Sequence, residues 1–180
     1  MLPRMQFLTV FRRTFAFAGP ALRLVTLFFL LVLAASGQAA PLAMGEAVPA
    51  FAAKDQFGKE FKFAPGLQFL LVGFDMNAGK LANHKFAELG AGWLEAHGAA
   101  YVLDIHTMPA VARLFALPKM RKYPHRIMLA ETASLLAPFP HQAENITILD
   151  LNPNGTIRAI RYWNPATVAA APELTPAPRP

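Results

Sequence analysis

The chain has 180 residues, with 17 Lys and Arg against 11 Asp and Glu and no cysteine. The formal charge of +6 suits a polyanionic partner only while the charges are pooled: Arg4, Arg12, Arg13 and Arg23 fall within the first 40 residues, where there is no acid, and the remainder carries 13 basic against 11 acidic side chains. Near-neutrality downstream removes the electrostatic basis for a nucleic-acid partner, and the missing cysteine excludes disulfides, thiol redox chemistry and a lipidated leader cysteine.

Residues 1–40 read as a secretory signal, with four arginines, the apolar run Leu24–Ala35 and then small residues through Ala40. Gly37-Gln38-Ala39 offers small residues where a signal peptidase inspects, so cleavage is expected after Ala39, with Ala40 as the alternative. Arg12-Arg13 followed by Phe15 is similar to a twin-arginine signal, but the Leu-Phe-Phe-Leu-Leu-Val core favours the general export route. The uncharged span Leu24–Met44 is also long enough to cross a bilayer, which makes an uncleaved anchor the competing reading. The arginines would then stay cytoplasmic. Either way the domain is expected in the periplasm, free or tethered to the inner membrane with the domain outside the cytoplasm.

The remaining residues, roughly 140, suit one domain with a single core. Gly45 to Lys62 has apolar residues on both sides of Asp55-Gln56-Phe57-Gly58 and predicts a hairpin. Gln68–Phe74 is almost continuously apolar, the pattern of a central strand covered on both faces. Asp75-Met76-Asn77-Ala78-Gly79-Lys80 is expected to be a loop leading into a helix over 81–97, with Phe86, Leu89 and Trp93 inward and Gly98 as its stop. Ala100–Ile105 repeats the buried-strand pattern. Thr107 is placed to cap a second helix with Pro109 in its first turn, and Pro118 to end it.

A basic segment, Lys119–Arg126, then passes into a short strand, Arg126–Ala130, and an irregular or loosely helical stretch follows from Glu131 to Ala143. Glu144–Trp163 carries the surest signal, two β-branched apolar runs around Asn152-Pro153-Asn154-Gly155, where Pro suits the first central turn position and Gly the left-handed one. Residues 164–180 are rich in Ala, Pro and Thr without periodicity and are expected to be disordered.

Strands alternating with helices and closed by a hairpin imply an α/β sandwich around a mixed sheet. G-E-A-V-P-A-F-A-A-K-D-Q-F-G-K-E-F, from Gly45, resembles the opening segment of thioredoxin-like proteins of the peroxiredoxin and membrane-anchored thioredoxin groups. D-I-H-T-M-P-A-V-A-R-L-F-A-L, from Asp104, resembles their second strand and helix, and I-T-I-L-D-L-N-P-N-G-T-I-R-A-I, from Ile146, their strand, turn and strand. The resemblance covers 45–163 and implies a thioredoxin-like sandwich with a central mixed sheet and hairpins at both ends. In that superfamily the loop after the first core strand holds the reactive cysteine, and here it reads F-D-M-N-A-G-K. The proline expected before the penultimate strand is also missing, since Asn145-Ile146 stands there and the nearest is Pro140. Without a thiolate there is neither disulfide exchange nor peroxide attack, so a thiol oxidoreductase or peroxidase of the usual kind is excluded.

Asp75, Asn77, Gly79 and Lys80 are the candidate ligand site, because loops at the carboxyl end of a central strand are where α/β folds bind and their N–H groups can hold an anion. The alternative is that Asn77 and Gly79 only make the turn. Asp104 and His106 share a face of a strand and are the weak metal candidates, with Met76, Met108, Met120 and Met128 as soft donors; His84, His97, His106, His125 and His141 show no metal-ligand spacing. Lys119, Arg121, Lys122 and Arg126, with His125, form the densest positive cluster, suited to an envelope protein or an anionic membrane surface, or else only a solvated loop. Ser134 is the single serine after residue 40 and lacks a nucleophile-elbow pattern. The Asn145-Ile146-Thr147 sequon reads as structural. No catalytic residue and no cofactor are expected. The function expected is binding or scaffolding in the cell envelope, the alternative being a copper carrier or residual enzyme using Asp75–Lys80 with Asp104 and His106.

Overall fold

The computed structural model describes residues 40–168 and 170–175. The leader up to its expected cleavage point at Ala39, and the last five residues, lie outside these.

The first hairpin is β1 (Ala52–Asp55) and β2 (Glu60–Lys62). Its turn is built by Asp55, whose Oδ1 accepts the N–H groups of Phe57 at 3.0 Å and Lys59 at 2.8 Å. Short polar side chains reach backbone two residues on in this way, so the turn is encoded locally. Then follow β3 (Phe69–Gly73), α1 (Met76–Leu89), α2 (Trp93–Ala96), β4 (Ala99–Asp104), α3 (Ala110–Met120), β5 (Met128–Ala130), α4 (Ala133–Leu136), β6 (Ile146–Leu151) and β7 (Ile157–Trp163). They make one seven-stranded sheet in the order β2-β1-β5-β4-β3-β6-β7. β3, β4 and β5 are parallel neighbours, while β6 is antiparallel to β3 and to β7, and β1 is antiparallel to β5.

Side chains alternate across this sheet as strand geometry requires. Phe69, Leu71, Tyr101, Leu103, Ile146 and Ile148 face α1, α2 and α3, where Ala82, Phe86, Leu94 and Met120 close the core. Leu70, Val72, Val102, Leu149 and Leu151 face the other way, against Val48, Phe63, Leu136 and Phe139. Both layers are covered, which is why β3 and β6 are buried at every position: β3 reads as an apolar run, and in β6 the buried Thr147 and Asp150 are paired with the Pro140 carbonyl and Arg161. Burying one such large side chain contributes about 1.5–3 kcal/mol.

Several helix boundaries differ from the sequence expectation. Residues 76–80 are not a loop but the first turn of α1, and that helix stops at Leu89 because Gly90 and Gly92 turn to φ +90° and +81°; Leu89 is 40% exposed rather than inward. Gly98 ends only the short α2. Thr107 caps nothing: α3 starts at Ala110 with Pro109 at its N-cap, and Pro118 lies inside it. Being in the last turn, Pro118 deprives only the Leu114 carbonyl of its usual N–H partner, and the turn still closes through Arg121 N–H to the Leu117 carbonyl at 3.0 Å.

The terminal hairpin turns as expected at Gly155, φ +82°, with Asn152 and Thr156 bonded across it. Beyond β7, where composition reads disorder, the described residues pack: Trp163 Nε1 donates to the Ala170 carbonyl at 3.1 Å, Arg161 donates to that of Glu173 at 3.0 Å, and Leu174 is buried in the helix-side core. One apolar side chain anchored in a core fixes a segment that its neighbours' propensities would leave free.

Candidate functional site

Asp75 stands at the carboxyl end of β3 as the N-cap of α1, yet its side chain does not cap that helix. Its Oδ2 instead accepts the backbone N–H of Glu144 at 2.8 Å and faces His141 Nε2 at 3.4 Å. Glu144 has φ +62°, a left-handed conformation costly for a side chain of its type, and His141 stacks on Phe74 with ring centroids 4.4 Å apart. Asp75 therefore ties the segment before β6 to the end of β3. An open groove of about 490 Å³ lies over this junction, lined by Asp75, Met76, Asn77, Leu81, Glu144 and Pro165. Glu144 and His141 were not legible in the sequence as partners of Asp75, being remote from it along the chain.

Of the four candidate ligand residues only Asp75 and Asn77 line the groove. Gly79 is buried beneath it: a Cβ there would collide with Leu103 Cδ1, and its carbonyl faces the Tyr101 hydroxyl at 3.5 Å. Its place is explained by close packing of α1 on β4, not by a turn. Lys80 is exposed on the helix surface.

Asp104 and His106 meet each other. Asp104 Oδ1 accepts from His106 Nδ1 at 2.7 Å and from the His106 backbone N–H at 2.8 Å, and Arg113 seals the loop by donating to the carbonyls of Ile105, His106 and Met108. These contacts account for the pair as a loop closure, and among the described residues no three His, Asp or Glu side chains are grouped to hold a metal. Met108, Met120 and Met128 are buried core residues while Met76 is exposed at the groove, so the four do not form one donor set. Thr147 of the sequon is fully buried and donates to the Pro140 carbonyl at 2.8 Å, a structural role.

The basic segment divides in two. Arg126 Nε donates to Asp55 Oδ2 at 2.8 Å, and Arg121 Nε donates to the Gln56 carbonyl at 2.9 Å, so both arginines clamp the first hairpin. Burial alone pushes the Asp55 carboxyl up, but the Arg126 hydrogen bond, the Lys59 and Phe57 N–H groups and the Arg126 charge together hold it below its ordinary value. Lys119 and Lys122 are exposed, and among the described residues neither meets a carboxylate. Beside them lies a feature that reading for motifs passed over. Val111, Leu114 and Phe115 are 67%, 72% and 68% exposed on the outer face of α3, while Ala112, Ala116 and Leu117 pack inward on the core. Two apolar stripes on one short helix were the available signal, since only one can face a single core.

His125, counted with the positive cluster, is buried. Its Nε2 donates to Asn83 Oδ1 at 2.9 Å, its Nδ1 has no partner among the described residues, and Phe86, Tyr101 and Tyr123 surround the ring. Burial pushes its pKa down from 6.5 to about 4, so it is neutral in the fold.

Parallel β4 and β3 joined to an antiparallel β6–β7 hairpin, with α1 leaving the end of β3, define a thioredoxin-like domain, and the absence of cysteine leaves it no thiol at that position. Among solved structures the chain is similar to a peroxiredoxin-like protein from Aquifex aeolicus, at 11% identity and TM-score 0.48 over 69% of this chain and 78% of that one. It is similar as well to the thioredoxin domain of a thiol-disulfide oxidoreductase from Bacteroides vulgatus, at 17% identity and TM-score 0.45 over 66% and 88%. A thio-disulfide isomerase from Thermus thermophilus follows at 16% and 0.44 over 67% and 87%. No protein-family model and no curated protein matches the chain. The fold rests on its own strand order and register.

Proposed function

We propose that this chain is a binding or scaffolding protein of the cell envelope, a thioredoxin-like domain that works by contact and not by thiol chemistry. The observation that carries this reading is the outer face of α3. Three large apolar side chains stand in solvent at i, i+3 and i+4, next to two lysines that meet no carboxylate among the described residues, and packing within the described residues does not require them there. The junction at Asp75, His141 and Glu144 supports it from the other direction, because the Asp75 carboxylate is taken up by the Glu144 N–H and the His141 ring in holding two segments together, and among the described residues of the junction no hydroxyl or thiol stands beside a base. The envelope location rests on the leader-like composition of residues 1–40. Among the described residues no helix is long and apolar enough to cross a membrane.

Two measurements test this. Purified protein should neither reduce insulin nor consume peroxide; turnover in either assay overturns the binding reading. Crosslinking in intact cells followed by mass spectrometry should recover envelope components. Recovery of cytoplasmic neighbours alone, with an intact mass beginning at Met1 in the soluble cell fraction, would refute the envelope location.

A further inference from the structure

The outer face of α3 has a chemistry of its own. From Ile105 to Ala130 the chain contains no Asp or Glu, and within that span lie Val111, Leu114, Phe115, Pro118, Lys119 and Lys122. On a helix, positions 111, 114, 115 and 118 fall on one side, and Lys119 sits at its flank. The inward side is occupied by Ala112, Ala116, Leu117 and Met120, so the exposed stripe cannot turn into the core without pulling these out. The other cations of the segment are spent internally, Arg113 on loop carbonyls, Arg121 on Gln56 and Arg126 on Asp55, which leaves the two lysines for something outside the fold.

We propose that α3 lies on an anionic lipid surface, with Val111, Leu114 and Phe115 set among the headgroups and Lys119 and Lys122 over the lipid phosphates. This deepens the reading of the chain as a binding module and rests on it. Charge favours this occupant over a second copy of the chain: an isologous contact brings the same patch against itself, gathering Lys119 and Lys122 of both copies into one interface to which the segment brings no carboxylate. Exposure favours a surface over a peptide: Val111, Leu114 and Phe115 stand about two-thirds or more exposed, and neither the groove at Asp75 nor the cavity of about 230 Å³ near Leu94 and Met128 includes any residue of α3 that could seat a peptide. Apolar side chains on one helical face with lysines at the rim are what interfacial helices use, the lysine stems spanning apolar depth while the ammonium groups stay wet.

Because the apolar leader can itself bring the full chain to any vesicle, the test reads position and not binding. The chain has no cysteine, so Val111→Cys gives one labelling site on the outer face of α3, and Ser134→Cys gives another on α4, across the sheet. Each full-length variant carries an environment-sensitive fluorophore and is mixed with phosphatidylcholine vesicles, with or without phosphatidylglycerol, containing a nitroxide lipid quencher. The label at 111 should be quenched in anionic vesicles, much less in neutral ones and less at high salt, while the label at 134 stays unquenched throughout. Replacing Lys119 and Lys122 by Ala, at about fivefold each, should lower the docking equilibrium read from the quenched fraction by about 25-fold, with an unchanged near-UV spectrum. Equal quenching at 111 and 134 in anionic vesicles overturns the proposal. Burial of the label at 111 without lipid as protein concentration rises would assign the face to a second copy, and burial only on adding an acidic polypeptide would assign it to a protein; either result overturns the lipid. If these fail while envelope crosslinks persist, the binding module stands and only its partner changes.

Discussion

The buried His125 makes stability depend on pH below neutrality. The ring is 2% exposed, its single polar partner is Asn83, and its pKa falls from 6.5 to about 4. An unfolded chain takes up the proton near 6.5 and the folded one does not until about pH 4, so between these values the unfolded state holds more protons and stability falls as pH is lowered. The loss is at most about 1.4 kcal/mol per pH unit and reaches roughly 2.5 kcal/mol at pH 4.5, a large share of a small domain's stability. Asp55 acts mainly below this window, because its carboxyl is held below the ordinary 3.8, so its stabilisation is present above that value and is lost as pH falls through it toward the folded pKa. Urea unfolding followed by fluorescence of Trp93 and Trp163, at several pH values from 4.5 to 7.5, measures the slope. His125→Gln keeps an N–H for Asn83 but removes the titration, so its stability should be flatter than wild type across the window by about the amount given above. Parallel curves for the two proteins would refute the reasoning.

Three further outcomes follow from packing and backbone geometry. Gly79→Ala should destabilise by about 1 kcal/mol net, although Ala is ordinarily the better helix former by about that amount, because overpacking against the buried Leu103 costs about 2 kcal/mol; Lys80→Ala, on the exposed side, should stay within about 0.5 kcal/mol in the same urea experiment. Gly155→Val should lower the melting temperature through a backbone strain of about 1–2 kcal/mol at φ +82°, while Asn154→Asp should not, since its Oδ1 accepts from the Thr156 N–H and hydroxyl and a carboxylate does the same; equal melting temperatures for wild type and Gly155→Val would mean the turn is drawn wrongly. Leu174→Ala should cost about 2 kcal/mol or more by calorimetry, because its side chain is buried in the helix-side core; a cost close to nothing would refute the anchoring of the tail.

Features carried by short stretches of chain were determined by the sequence itself. The two hairpins follow from Asp55 with Gly58 and from Asn152 to Gly155, where turn chemistry acts within five residues; the strands over 69–73 and 99–104 follow from apolar runs that only a covered sheet can bury. The missing thiol is composition alone. What the sequence could not contain is which distant groups meet. Asp75 reads as a loop carboxylate until Glu144 takes it, Arg126 reads as a surface cation until Asp55 takes it, and Gly79 reads as a turn until Leu103 is found against it. The same holds for α3. Its composition shows two apolar stripes, but only the packed sheet decides that the one with Ala116 and Leu117 is buried and the one with Leu114 and Phe115 is left in solvent, because a helix on one face of a sheet has room to bury a single side.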